Sequence, residues 1–220
     1  MANWIRTYIA EQSKYQREQK ISHLREFFTP DNLMLDIGVW CKMPEPNPSE
    51  NWLEKQHSQD VTIIAVGLEN MSAFKKKYPN VLCVQADGCA LPFKDNAVSV
   101  AHSNAVLEHV PAKCQPDFVR EIARVASRKA LLAVPDRFSP IEIHSRIFFI
   151  HWLPNWREIF RKLGKTFWAS EEHLTCIFTF NSFKKMLGNS NVPGKWTIKR
   201  QTLYFLPVSL IAIFEKTSEP

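Results

Sequence analysis

Acidic residues and glycines follow three short apolar runs in the first half of the chain. Asp36 and Gly38 end the first run, Glu69 follows the second, and Asp87 and Gly88 follow the third. A glycine lets a ligand approach the backbone closely, and a carboxylate after a second strand can accept both hydroxyls of a ribose. Carboxylates rather than lysines at these positions favour a nucleoside ligand without phosphates.

The apolar runs that precede these residues predict strands, with helical periodicity between them. Strands are expected at residues 33–37, 61–66, 81–84, 97–101 and 130–134. Helices are expected at residues 70–78, 104–109 and 117–127. This alternation is typical of a parallel sheet, whose ligands bind where the strands end. His102, Ser103 and Asn104, after the fourth run, would lie at the same edge.

The ends of the chain predict different elements. Residues 3–28 have helical spacing, and residues 42–49 are too rich in proline for regular structure. Residues 136–154 form an aromatic and basic insert. Asn155 with Glu158 resembles a capping box at the start of a helix over residues 155–163. A helix at 181–187 and a hairpin of residues 196–205 and 207–214 complete the pattern.

Composition limits the class of protein. The chain has 220 residues, 45% hydrophobic and 23% charged, as expected for one α/β domain. It contains neither GxGxxG nor GxxxxGK, which argues against classical dinucleotide enzymes and P-loop NTPases. Residues 1–20 lack the apolar core of a signal peptide, and no apolar run is long enough for a membrane span. These features predict a cytoplasmic protein without stable membrane insertion.

The five cysteines are odd in number and include no CxxC pair. They predict five free thiols and neither a disulfide framework nor a thiolate metal site. Cys83 is expected to be inert because it lies in a strand. Cys41, in the proline-rich loop, is expected to react most readily.

The net charge of +6 is concentrated in one part of the chain. Residues 115–200 carry fifteen basic and seven acidic side chains. Such an excess can steer phosphate-bearing substrates, nucleic acid or an anionic membrane surface, or can simply be solvated helix faces.

Residues 85–110, QADGCALPFKDNAVSVAHSNAVLEHV, carry the most specific motif. This segment resembles the class I S-adenosylmethionine-dependent methyltransferases, in particular the type 11 group, and the resemblance extends over residues 33–216. It implies a three-layer, Rossmann-like α/β fold whose seven-stranded, mainly parallel sheet ends in an antiparallel hairpin. It also implies residues 1–28 as an N-terminal helical segment that can fold over the cofactor and residues 29–220 as the methyltransferase domain.

The resemblance also implies which residues bind S-adenosylmethionine. Asp87 would accept from the adenine amino group with the Gly88 backbone close by, and Glu69 would hold the ribose. The residues implied around the methionine part and bracing its pocket are Asp36, Gly38, Ser103, Asn104 and His109.

The first motif departs from the family pattern DxGxGxG. It reads DIGVWCK, with Trp40 where the second glycine is expected, and the interval from Gly38 to Glu69 is about ten residues longer than usual. The large side chain predicts either a clash with the cofactor or a different path for this loop.

The insert at residues 136–154 resembles an element of methyltransferases encoded among bacterial surface-polysaccharide genes. It predicts an acceptor-side wall with His144 as general base and Glu142 orienting it, or else a structural His144. Arg137 and Arg146 favour an anionic acceptor.

The expected activity is methyl transfer to a small-molecule or glycan-like acceptor, most simply at oxygen. The alternative is a catalytically silent methyltransferase-fold module that binds an anionic partner. Nucleic acid is not expected, because no basic appendage carries interleaved aromatic residues. The sequence specifies neither the acceptor nor an oligomeric state.

Overall fold

The fold is taken from a computed structural model of the chain. It describes residues 3–45, 50–140, 148–164, 166–170 and 175–216, and it leaves out the side chains of residues 3–10, 12, 167 and 168. None of the helices described is long and apolar enough to cross a bilayer.

Seven strands form a single sheet in the order β3-β2-β1-β4-β5-β7-β6. Strands β1 to β5 pair in parallel, and β7 is antiparallel to both β5 and β6. The predicted mainly parallel sheet with a C-terminal antiparallel hairpin is therefore confirmed. The strands are β1 (Leu33–Ile37), β2 (Thr62–Gly67), β3 (Leu82–Gln85), β4 (Val98–Asn104), β5 (Ala126–Pro135), β6 (Trp196–Leu203) and β7 (Leu206–Glu215).

Helices cover both faces of the sheet. They are α1 (Asn3–Ile21), α2 (Trp52–His57), α3 (Ser72–Lys77), α4 (Gln115–Val125), α5 (Trp156–Lys162), α6 (Thr166–Ala169) and α7 (Phe180–Asn189). Adjacent residues of a strand point to opposite faces. Leu35 belongs to the core beneath α4 and α7, whereas Met34 belongs to the core with Leu24 and Phe74. The two cores make the three-layer arrangement that the sequence predicted.

The end of β4 corrects two sequence predictions. The strand was expected to stop at residue 101, but Asn104 still pairs with Ala133 of β5. His102 and Ser103 therefore lie within the strand instead of after it. The helix expected at residues 104–109 is only a 3-10 turn, Leu107–His109. Continued pairing with β5 overrides the local helical pattern.

Helix boundaries bring two further corrections. Asn155 precedes α5 but its side chain makes no capping hydrogen bond, so the predicted capping box is wrong. A capping box instead starts α7, where Thr179 and Ser182 bond reciprocally. Helix α2 was missed because the prolines before it suggested a long loop. Residues 42–45 have no regular structure, and residues 46–49 lie outside the described part.

Candidate functional site

A cavity opens at the carboxyl ends of β1 and β4. The C-terminal half of α1 and the loop that follows β1 form its walls. Three predicted cofactor residues line it: Asp36, Gly38 and Asn104. The other predicted cofactor residues do not line this cavity, and they are Glu69, Asp87, Gly88, Ser103 and His109.

Two of the predicted glycines are required by close packing. Gly38 has a φ of +91°, and a Cβ there would lie 2.3 Å from a methyl group of Val106. At Gly88 a Cβ would lie 2.4 Å from the Phe118 ring. A side chain at either position would displace a neighbour, so the close packing of the backbone against Val106 and Phe118 requires glycine there.

Asp36 is the central acid of the cavity. Nδ1 of buried His102 donates to Oδ1 of Asp36 at 2.7 Å, which orients the carboxylate. Glu54 of α2 is 1% exposed, and its carboxyl makes no hydrogen bond within the described part of the chain. Burial, followed by the neighbouring charge of Asp36, raises the pKa of Glu54.

Two basic residues of α1, Arg17 and Lys20, line the same cavity, and sequence reasoning assigned them no role. Nζ of Lys20 donates to Oδ1 of Asn104 at 2.9 Å, and both residues line the cavity. Burial and the nearby Arg17 lower the pKa of Lys20 to about 7. Burial also lowers the pKa of Arg17, against the attraction of Glu50 and Asp36. Their spacing of three residues on one helix face was the available signal.

Ser103 and His109 do not line the cavity, and they lie in β4 and in the 3-10 turn that follows it. The Ser103 hydroxyl is buried and donates to the carbonyl of Ile37 at 3.1 Å, so it joins β4 to β1. His109 is half-buried at the end of the 3-10 turn after β4. Its neighbour Glu108 is 1% exposed, and within the described residues its carboxylate has no hydrogen-bond partner.

The loop after β1 has Trp40 where the resembled family has its second glycine, and Asn51 holds the main chain of Trp40 in place. Asn51 Oδ1 accepts from the Trp40 N–H at 2.8 Å, and its Nδ2 donates to the Trp40 carbonyl at 3.0 Å. Asn51 itself is in the left-handed region, with a φ of +48°. The main chain of Trp40 is therefore fixed from both sides, and its side chain is 40% exposed at the cavity.

A buried carboxylate supports this arrangement, in what we term the Glu45 cluster: Glu45, Asn51, Lys55, Lys77 and Tyr78. Glu45 accepts from Asn51 at 2.9 Å, from Lys55 at 2.7 Å, from Lys77 at 2.6 Å and from the Tyr78 hydroxyl at 2.5 Å. Burial raises the pKa of Glu45, but these hydrogen bonds outweigh it and lower the pKa to about 2. The cluster joins the loop to α2 and α3.

The predicted adenosine residues lie exposed beyond β2 and β3. Glu69 forms an exposed ion pair with Lys42 at 2.9 Å. Asp87 is exposed, and its Oδ1 accepts from the Cys89 N–H at 2.9 Å. Because β2 is parallel to β1 and β3 is parallel to β2, both carboxylates lie on the edge that carries the cavity.

The predicted catalytic pair cannot be placed, because Glu142 and His144 lie outside the described residues, as does Arg146. The described parts of the insert, residues 136–140 and 148–154, do not line the cavity. Asp136 is buried there and accepts from Arg200 Nε of β6 at 2.7 Å. The insert is thus joined to the hairpin.

All five cysteines are free, as predicted. The prediction that Cys41 is the most reactive is wrong. Cys41 is 6% exposed, and burial raises the pKa of its thiol. A Cβ on Gly67 would lie 2.2 Å from its Sγ, so the thiol packs tightly beneath the end of β2.

The chain matches known proteins in sequence and in fold. Residues 49–134 match the family model described as a methyltransferase domain. Over these residues the chain is similar to methyltransferases of the type 11 group. No curated protein sequence matches it.

Solved structures agree in fold at low sequence identity. The magnesium protoporphyrin IX methyltransferase of Synechocystis has a TM-score of 0.58 at 14% identity, covering 99% of this chain and 89% of its own. An S-adenosylmethionine-dependent methyltransferase of Methanosarcina mazei has a TM-score of 0.55 at 16% identity, with 89% and 97% covered.

A Rhodobacter sphaeroides protein named for zinc-dependent alcohol dehydrogenases has a TM-score of 0.64 at 10% identity, with 91% and 90% covered. Identities this low show the fold alone. Among the described residues no group of histidine, cysteine and acidic side chains could hold a metal ion.

Proposed function

We propose that this protein transfers a methyl group from S-adenosylmethionine to an oxygen atom of a small-molecule or glycan-like acceptor. The observation that carries the proposal is the cavity at the ends of β1 and β4. Asp36, Gly38 and Asn104 line it, and the family resemblance assigns these residues to the methionine part of the cofactor.

The charges of the cavity fit that cofactor, which supplies a methyl group on a positively charged sulfur when bound. Asp36, oriented by His102, places a buried negative charge at the end of β1. On the facing helix, Arg17 and Lys20 would hold a carboxylate, and Asn104 already fixes the Lys20 amine. A zwitterionic amino-acid group meets both signs of charge here.

The adenosine part would lie along the ends of β2 and β3. Glu69 would accept from the ribose hydroxyls and Asp87 from the adenine amino group. The Glu69 ion pair with Lys42 is exposed, so exchanging it for a ribose costs little. Gly88, where a Cβ would meet the Phe118 ring, lets the backbone beside Asp87 pack closely against α4.

For the acceptor, the chain needs to align an oxygen with the methyl group and remove its proton. His144 with Glu142 is the base that we propose, and Arg137 and Arg146 would hold an anionic acceptor. The alternative imidazole is that of His102, which lines the cavity but is committed to Asp36 through Nδ1.

Calorimetric titration with S-adenosylhomocysteine tests the proposal. The wild type is expected to bind with micromolar affinity. Because a hydrogen bond to a charged group contributes about 1.5 to 3 kcal/mol, Asp87→Ala and Glu69→Ala are each expected to weaken binding about tenfold or more. Asp95→Ala is the matched control, since Asp95 is exposed and pairs only at the surface with Arg124.

The competing hypothesis is a silent module that keeps the fold and binds an anionic partner through its basic C-terminal half. It predicts no heat with S-adenosylhomocysteine. Unchanged affinity in both acidic variants would instead reject the assignment of Asp87 and Glu69.

A further inference from the structure

Large apolar side chains are exposed at the end of the sheet that carries the candidate site, on what we term the aromatic edge: Phe148, Phe149, Trp152, Tyr204 and Phe205. Phe205 is 99% exposed and Tyr204 is 68% exposed at the turn between β6 and β7. Phe148, Phe149 and Trp152 are 60%, 48% and 46% exposed in the insert. Exposed apolar surface of this kind marks an interaction site.

The two groups of the aromatic edge are joined by residues 136–140. The Phe149 N–H donates to the Pro140 carbonyl at 2.8 Å, and Trp152 Nε1 donates to the Ser139 carbonyl at 3.1 Å. On the other side, the Asp136 N–H donates to the Val208 carbonyl at 3.2 Å. The edge therefore runs from the insert to the start of β7.

The aromatic edge and the cavity both lie beyond the carboxyl ends of the parallel strands. Pro135, the last residue of β5, pairs with Ser209 near the start of antiparallel β7. The β6–β7 turn therefore projects beyond the carboxyl end of β5, and the cavity lies beyond the carboxyl ends of β1 and β4.

The residues of the β6–β7 turn are unfavourable for the backbone conformation that the turn adopts. Leu203 pairs with Leu206, so Tyr204 and Phe205 form a two-residue turn, with φ of +48° and +67°. Asn-Gly is the preferred sequence where both φ are positive, and large aromatic residues are outliers there. Unfavourable residues in such a turn indicate that the exposed rings serve another purpose.

The surroundings of the aromatic edge are basic. The described residues of the insert, of α5 and of the strand and turn beside them, residues 136–140, 148–164 and 196–206, contain six basic and two acidic side chains. One acid, Asp136, is buried and neutralised by Arg200. Aromatic rings flanked by lysine and arginine are suited to the boundary between anionic headgroups and acyl chains.

We propose that the aromatic edge docks on an anionic membrane surface, with Phe205 inserted into the headgroup region. A projecting turn fits insertion into lipid better than the flat contact of two protein surfaces. The acceptor would then be reached at the bilayer, a consequence that rests on the proposed function. Docking itself needs no cofactor. A failure to bind vesicles therefore does not imply that the proposed methyl transfer fails, and a failure of methyl transfer does not imply that docking fails.

Cosedimentation of the full chain with vesicles tests docking. The wild type is expected to bind vesicles of phosphatidylcholine and phosphatidylglycerol in equal amounts, less so at high salt, and to bind pure phosphatidylcholine weakly. Phe205→Ser and Phe149→Ser are each expected to lower the partition coefficient about tenfold, because each removes one inserted ring. Circular dichroism checks that the variants are folded.

Leu82→Ser is the matched control, since Leu82 is 55% exposed on β3 at the opposite end of the sheet. It should bind as the wild type does. Absence of wild-type binding to anionic vesicles overturns the proposal, and so does equal binding by all variants. A dimer that Phe205→Ser dissociates, without vesicle binding, overturns it in favour of a second copy as the occupant.

Discussion

Two loops at the carboxyl-end edge of the sheet differ in how their unusual backbone conformations are supported. The first-motif loop, described at residues 38–45 and 50–51, is held there by Asn51 and the buried Glu45, which together make up for absent glycines. The β6–β7 turn exposes Tyr204 and Phe205 in a conformation that other residues favour. Internal partners support the described part of the first loop. The proposed docking supplies an external partner for the second.

The comparison assigns different tasks to the two sides of the ligand edge. The first-motif side, with its buried charges, would hold the cofactor. The side with the insert and the hairpin would meet the acceptor. Variants on each side should therefore change different quantities.

The largest effect is expected at His144. If it is the base, His144→Ala lowers the methyl-transfer rate about 10² to 10⁴-fold and leaves S-adenosylhomocysteine affinity nearly unchanged. His23→Ala, a half-buried histidine away from the cavity, is the control. Loss of thermal stability with normal turnover of the folded fraction would make His144 structural. The side with the insert would then no longer be assigned a catalytic base.

Lys20→Met is expected to stabilise the fold at pH 6, by about 2 to 3 kcal/mol. The pKa of Lys20 is lowered to about 7 in the folded chain from an unfolded value of 10.5. Below pH 7 both states are protonated and the burial cost is complete. Between pH 7 and 10.5 only the unfolded state binds the proton, so wild-type stability rises with pH and the advantage of Met shrinks.

Denaturant unfolding at several pH values measures this effect. Lys14→Met is the control, because Lys14 is on the same helix but is 40% exposed in its pair with Glu11. A pH-independent difference between wild type and Lys20→Met would contradict the shifted pKa of Lys20. Weaker S-adenosylhomocysteine binding by Lys20→Met would show that the destabilising charge serves the cofactor.

Glu45→Gln is expected to destabilise the fold by about 2 kcal/mol, since it removes a charge that Lys55, Lys77 and Tyr78 share. The free energy of unfolding measures this. Glu26→Gln should change it by less than about 1 kcal/mol, because Glu26 is 63% exposed in its pair with Lys129. S-adenosylhomocysteine affinity should fall in Glu45→Gln alone. Equal effects of the two variants would show that Glu45 contributes no more to the free energy of unfolding than an exposed ion pair does.

The smallest effect is expected at the turn. Replacing Tyr204 and Phe205 by Asn and Gly should raise the free energy of unfolding by about 1 kcal/mol, because both φ are positive. The same double variant should lose binding to anionic vesicles. Thermal unfolding measures the expected gain in stability, and cosedimentation measures the expected loss of vesicle binding. A destabilised variant would show that the aromatic rings pack within the fold.

Sequence reasoning predicted the strands well because their apolar runs are short, β-branched and bounded by turn residues. It failed where pairing decides, as at β4, whose last residues remain in the sheet through Asn104. It missed α2, because the prolines of the preceding loop concealed a short helix that buries Leu53 and Glu54. It also placed Cys41 in an open loop, whereas Gly67 and the core enclose the thiol.

The sequence by itself determined the parallel sheet with its closing hairpin, the acids at the strand ends and the free thiols. These depend on periodicity and residue type, which are local properties. Only the tertiary structure brought Arg17 and Lys20 to Asp36 and gathered the Glu45 cluster. Side chains far apart in sequence meet only when the sheet order brings their elements together, and burial then sets their charges.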